Sequence, residues 1–115
     1  NDLQTLGFLF EALVERDLRI YAEAHDATLY HYQDYKDNEV DSIIEAPDGS
    51  WGAIEIKLGS NQIDIAAKNL IKTNKAMKEA TGKNASFLAV ICGLTQYAYC
   101  REDGVNVIPI TALGV

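Results

Sequence analysis

The chain has 115 residues, 48% of them apolar and 23% charged, and a net charge of −7. That length buries about two thirds of the unfolded surface around one core, so a single domain over residues 1–115 is expected. The composition excludes repetitive and low-complexity chains, and the acidic balance excludes a non-specific coat on nucleic acid.

In chain order, residues 2–25 read as a long amphipathic helix, with Leu3, Leu6, Phe10, Leu13, Val14, Leu18 and Tyr21 at three- and four-residue spacing. The chain opens without Met in the first turn of that helix, and without the basic stretch and apolar core of a secretory signal. The expectation is a piece of a longer protein. "TLYHYQ", 28–33, is rich in strand formers, and "DYKDN" is a polar loop. "EVDSIIEA" and "SWGAIEIKL" are strands joined by "PDG", a strong turn signal. A second helix is expected from about Gln62 to Ala80, with Ile63, Ala67, Leu70, Ile71, Asn74 and Met77 on one side and Gly82 as its C-cap. "FLAVIC", 87–92, is the longest apolar run, too short to span a bilayer and suited to a strand buried on both faces. "QYAYCR" and "VNVIPI" follow as strands around the turn "EDG". The fold class is therefore α/β, a mixed central sheet flanked by helices. Cys92 and Cys100 read as small buried hydrophobes of a reducing, cytoplasmic compartment, with a disulfide as the alternative.

The hairpin carries an odd set of charges. A type I turn at Pro47-Asp48-Gly49, closed by a glycine bulge, pairs Ala46 with Ser50. In that register Asp41 faces Glu55 and Glu39 faces Lys57, and Asp41, Glu55 and Lys57 share a sheet face with Trp51 and Ala53. Two carboxylates about 4 Å apart repel by roughly 4 kcal/mol at an effective dielectric near 20. A fold keeps them only with positive charge between them, from Lys57 or from a divalent cation. The competing reading is a solvated sheet face with an exposed ion pair worth under about 1 kcal/mol. Glu11 joins the set, because its helical spacing to Gly7, Val14 and Leu18 puts it on or beside the face that meets the sheet. Gly7, costly in mid-helix, points to close approach by another group; for Glu11 the alternative is a boundary residue reaching water.

Glu11 on a first helix, then "NEVDSII" and "GAIEIK" on a hairpin, followed by a helix and an apolar strand, resembles the PD-(D/E)xK nuclease superfamily. More narrowly, with "GFLFEALV", the chain resembles a nuclease-like domain found C-terminal to many prokaryotic AAA-type ATPases. The resemblance covers about Gly7 to Gly93 and implies a restriction-endonuclease-like core of helix, three strands, helix and strands. It further implies an upstream ATPase domain in the same chain. Asp41 and Glu55 would then be metal-binding carboxylates, helped by the Ile56 carbonyl, with Glu11 ligating directly or through water. Lys57 would orient the attacking water. The cofactor would be Mg²⁺ or Mn²⁺, hard ions suited to oxygen ligands, and the reaction DNA phosphodiester hydrolysis. This sequence departs from the pattern in having Val40 before Asp41 where the family has Pro, and no Gln-Tyr motif follows Lys57.

Residues 1–50 hold twelve acids against three bases, while 65–83 hold five lysines against Glu79. Lys68, Lys72 and Lys75 fall on one side of the second helix, either as phosphate contacts or as an ordinary solvated face. His31 is expected to face water, and Tyr30, Tyr32 and Tyr35 either pack or stack bases. Two further readings stand beside the nuclease: a catalytically inactive module on the same fold that serves protein interaction or regulation of the ATPase, and a homo-oligomer formed through a sheet edge after residue 95.

Overall fold

The computed structural model describes residues 2–110, and the side chains of residues 4–110. The expected element order holds: α1 (Asp2–Ala24), β1 (Thr28–Gln33), β2 (Glu39–Glu45), β3 (Trp51–Lys57), α2 (Ile63–Thr81), β4 (Phe87–Cys92), β5 (Tyr99–Cys100) and β6 (Asn106–Pro109). A 3₁₀ turn, Ser60–Gln62, leads into α2. The sheet runs β1-β2-β3-β4-β6-β5. It is mixed because β1, β2 and β3 are antiparallel neighbours, whereas β3–β4 and β4–β6 are parallel. Among the described residues no helix is long and apolar enough to cross a membrane.

Alternation of side chains divides the core in two. On one face Ile63, Ala66, Ala67 and Leu70 of α2 pack on Val40, Ile43, Trp51, Ala53, Leu88 and Val90. On the other face Val14 and Leu18 of α1 pack on Ile54, Ile56, Ala89 and Ile91. Strands β3 and β4 lie between both layers, and for that reason they read as nearly continuous apolar runs. α2 is the crossover that lets two parallel strands sit side by side.

The turn forms as its residues dictate. Gly49 adopts φ +87°, the Ala46 N–H donates to the Ser50 carbonyl at 2.8 Å, and the Gly49 N–H donates to the Ala46 carbonyl at 2.9 Å. Ser50 donates its N–H and hydroxyl to the Asp48 carboxylate, which lies below the usual carboxylate range because of those two bonds. At the C-terminal end of α2, Gly82 is the left-handed cap, φ +79°.

Several expectations are corrected. α1 buries Val14, Leu18 and Ala22 and half-buries Phe10, a seam of strict four-residue spacing, and leaves Leu6, Leu13 and Tyr21 more than half exposed. A single helix lying on a twisted sheet covers only this narrow stripe. Leu3 lies outside the described side chains. On α2, Ala66 and Thr73 replace Ile71 on the buried side. Cys92 is buried, whereas Cys100 is exposed on the two-residue edge strand, and both are free thiols. Nothing lies within 4 Å of the position a Cβ would take on Gly7, so close approach does not explain that glycine.

Leu70 is fully buried in the α2 layer, whereas Ile65 points to water at 74% exposure. Leu70→Ala is expected to cost about 2–5 kcal/mol of unfolding free energy, and Ile65→Ala to stay within about 0.5 kcal/mol. Urea denaturation with an unchanged slope checks both.

Candidate functional site

The site arises from an irregularity in β2. Tyr30 pairs with Ile43 but Tyr32 pairs with Val40, so His31 alone opposes both Asp41 and Ser42. This is a β-bulge, and it shifts the side-chain alternation of β2 by one residue. Val40 and Ile43 consequently both enter the α2 layer although they are three apart. The pairing of β2 with β3 runs from Glu45↔Trp51 to Ser42↔Ile54. Past that point the Ile56 N–H donates to Oδ2 of Asp41 at 2.8 Å, a side chain taking the place of a backbone acceptor.

The expected register is thus correct through Ser42, but the expected common face is not. Asp41 sits in the fork between the strands rather than standing on the α2 face beside Glu55. From there it meets carboxyls from both layers. In its protonated form Glu11 of α1 donates to Asp41, and so does Glu55 of β3. Asp41, Glu55, Lys57 and Glu11 are therefore brought together, as the sequence suggested.

Glu55 is only 4% exposed. Burial first, and then the bond to Asp41 and the charge of Asp41, push its pKa up to about 8. Two groups pull the other way. Lys57 Nζ stands 3.8 Å from Oε2, and Asn69 Nδ2 donates to Oε1 at 2.7 Å. Glu11 is half-buried and is also raised, by burial, then by Asp41 and Glu15, against Lys57. The Lys57–Glu55 attraction at that distance matches one carboxylate–carboxylate repulsion at roughly 4 kcal/mol, before solvent screening of the third-exposed ammonium weakens it. One lysine cannot neutralise two carboxylates in an apolar sheet. A proton on Glu55 supplies the remainder.

Beside this cluster, at the carboxyl ends of β3 and β4, lies a cleft of about 590 Å³. Its walls include Gly7, Phe8 and Glu11 of α1, Ile56 and Lys57 of β3, and Gln62 at the start of α2. Gly7 leaves its wall open, because no neighbour fills the space beside it. Asp41 and Glu55 do not line the cleft, whereas Glu11, Ile56 and Lys57 do. Gln62, whose Oε1 accepts the Gly59 N–H at 3.2 Å, does line it. Among the described residues no group of three or more His, Cys, Asp or Glu side chains is arranged to hold a metal ion. The direct donors at the fork are a pair, Asp41 and Glu55.

The remaining candidates lie elsewhere. Lys68, Lys72 and Lys75 are exposed on the outer side of α2, and Lys68 is bound to Asp64 at 3.0 Å. Asp64 is in turn paired with Arg101 at 2.8 Å, which holds its carboxyl low. His31 faces water and pairs with Glu39 at 3.1 Å. Tyr30 and Tyr32 pack against the α2-side core, while Tyr35 is exposed beside Lys36. Asn69 was not singled out from the sequence. The available signal is a short polar residue in a helix interior, one place before the buried Leu70.

The fold and fork define a class: a mixed α/β domain with an acidic pair and a lysine beside a cleft at its strand ends. The family model "Domain of unknown function (DUF4143)" matches residues 6–113, and the chain belongs to that family. No curated protein and no solved structure matches the chain.

A buried carboxyl with a raised pKa holds its proton more tightly in the fold than in the unfolded chain. Its contribution to stability is present below the ordinary value of 4.5 and is lost as pH rises through about 8. Without divalent cations, the unfolding free energy should fall between pH 5 and 8 by a few kcal/mol, on the order of 2–4. Glu55→Gln should flatten that slope and be the more stable form at pH 8. Urea denaturation at several pH values checks it.

Proposed function

We propose that this domain is a divalent-cation-dependent nuclease of the PD-(D/E)xK type that hydrolyses DNA phosphodiester bonds. The observation that carries the reading is the contact between Asp41 and Glu55 with Lys57 beside them. The order helix, three strands, helix, strand supports a restriction-endonuclease-like core. The attachment to an ATPase domain of the same chain belongs to this proposal as well.

The donor set suits Mg²⁺ or Mn²⁺. Both groups are hard oxygen donors, and Mg²⁺ commonly takes one or two carboxylates and keeps its waters. The charge argument agrees, because a cation at the fork would replace the proton that Glu55 holds near neutral pH. Asp41 and Glu55 would hold the ion, with the Ile56 carbonyl as a third oxygen and Glu11 acting through water. When bound, the ion would lower the pKa of a coordinated water and offset charge on the phosphate.

The protein's own groups do the rest. Lys57 lines the cleft and reaches Glu55, so its ammonium can hold an attacking water and face a phosphate at once. The Asp41–Ile56 bond fixes the first carboxylate against rotation. Lys72 and Lys75 supply positive charge outside the cleft on a chain that is otherwise acidic.

A second reading, an inactive module serving protein interaction, is favoured by a different observation. Leu6, Leu9, Leu13 and Ile20 of α1 are each more than half exposed, and the first fifty residues are strongly acidic.

One set of assays separates the two. With Mg²⁺ or Mn²⁺, the wild type should cleave plasmid, linear or branched DNA. Lys57→Ala and Asp41→Asn should each lower the rate by about a hundredfold or more. Absence of cleavage, or equal cleavage by the variants, would remove the nuclease reading. A calorimetric Mn²⁺ titration with no heat would favour the inactive module.

A further inference from the structure

The carboxylates of the fork stand where the sheet has lost its own means of spacing them. Backbone pairing between β2 and β3 stops at Ser42↔Ile54, and Asp41 itself takes the next N–H of β3. Something else must set how far the Glu39–Asp41 segment stands from Glu55. Asn69, half-buried on α2, reaches both. Its Nδ2 donates to the Glu39 carbonyl at 2.6 Å and to Oε1 of Glu55 at 2.7 Å. A carboxamide nitrogen has two hydrogens, and here each has one acceptor. The two hydrogens lie in one rigid amide plane, and their acceptors sit one on each strand of the opened fork.

Resting on the metal-site reading above, we propose that Asn69 is a positioning residue whose carboxamide fixes the spacing and aim of Glu55 relative to Asp41 for a divalent cation. It does not touch the ion. One hydrogen turns Oε1 toward the helix, which leaves Oε2 on the Lys57 side. The other ties down the β2 backbone two residues before Asp41. Residues that orient metal-ligating carboxylates in this way change metal affinity by about 10- to 100-fold when lost. A short polar residue in a helix interior otherwise only weakens the helix by a fraction of 1 kcal/mol.

A clamp that merely holds α2 on the sheet would use the same bonds, so the test needs a structural comparator. Asn74, five residues further along α2, accepts the Ala85 N–H through Oδ1 at 2.8 Å and has no hydrogen bond to a carboxylate of the fork. Mn²⁺ affinity is measured calorimetrically on the 115-residue chain for the wild type, Asn69→Leu and Asn74→Ala. Asn69→Leu should bind Mn²⁺ 10- to 100-fold more weakly, while Asn74→Ala stays within about twofold of wild type even where both lower the urea midpoint. Equal affinity of Asn69→Leu and wild type, or equal losses in both variants, overturns the inference and leaves the metal site standing. A wild type that takes up no Mn²⁺ overturns the metal site and this inference with it. Should Asn69→Leu fail to fold, the unsubstituted chain gives the answer by nuclear magnetic resonance. The side-chain NH₂ pair of Asn69 should shift on addition of Mg²⁺, and an unmoved pair contradicts the role.

Discussion

Two carboxyl groups in contact inside an apolar sheet set the terms for everything around them. Burial and then the neighbouring Asp41 push the pKa of Glu55 up to about 8, and Lys57 at 3.8 Å pulls against them without cancelling them. Near neutral pH Glu55 must keep its proton or the site must hold a cation. Replacing it with apolar residues of similar volume would commonly leave such a sheet as stable or more so. A fold that keeps the pair, and builds a bulge to bring it together, is organised around that charge.

The bulge is the structural device. Without it Asp41 would stand on the α2 face in strict alternation, out of reach of Glu11 on the opposite layer. With it, β2 turns by one residue, the ladder opens, and the Asp41 carboxylate takes over the Ile56 N–H. The opened strands are held from α2 by Asn69 and approached from α1 by Glu11. Lys57, two residues beyond Glu55 on a central strand, then emerges where β3 ends and the cleft begins. Clefts at the carboxyl ends of strands are where open α/β sheets present ligands, because the chain there leaves the sheet and its groups diverge.

Much of this was legible in the sequence. The Pro47-Asp48-Gly49 turn specified the register, and the register placed Asp41 opposite Glu55. The apolar run of β4 announced a central strand covered on both faces. What the sequence did not reveal is instructive. A bulge at Asp41 and Ser42 leaves no mark in composition, because it exists only in the pairing of β2 with β1, where His31 opposes both residues. The face of Asp41 was therefore misassigned. The apolar side of α1 is also narrower than its spacing suggests, since Leu6, Leu13 and Tyr21 fit the helical stripe yet stand more than half exposed. Asn69 was invisible because its role depends on tertiary contact with two strands.

The most direct measurement is the number of protons released when Mn²⁺ binds, obtained calorimetrically at pH 7 in buffers of different ionisation enthalpy. A site that exchanges the Glu55 proton for a cation should release about one proton per ion bound, and Glu55→Gln should abolish that release. Binding of Mn²⁺ with no proton release from the wild type would contradict the account at its root.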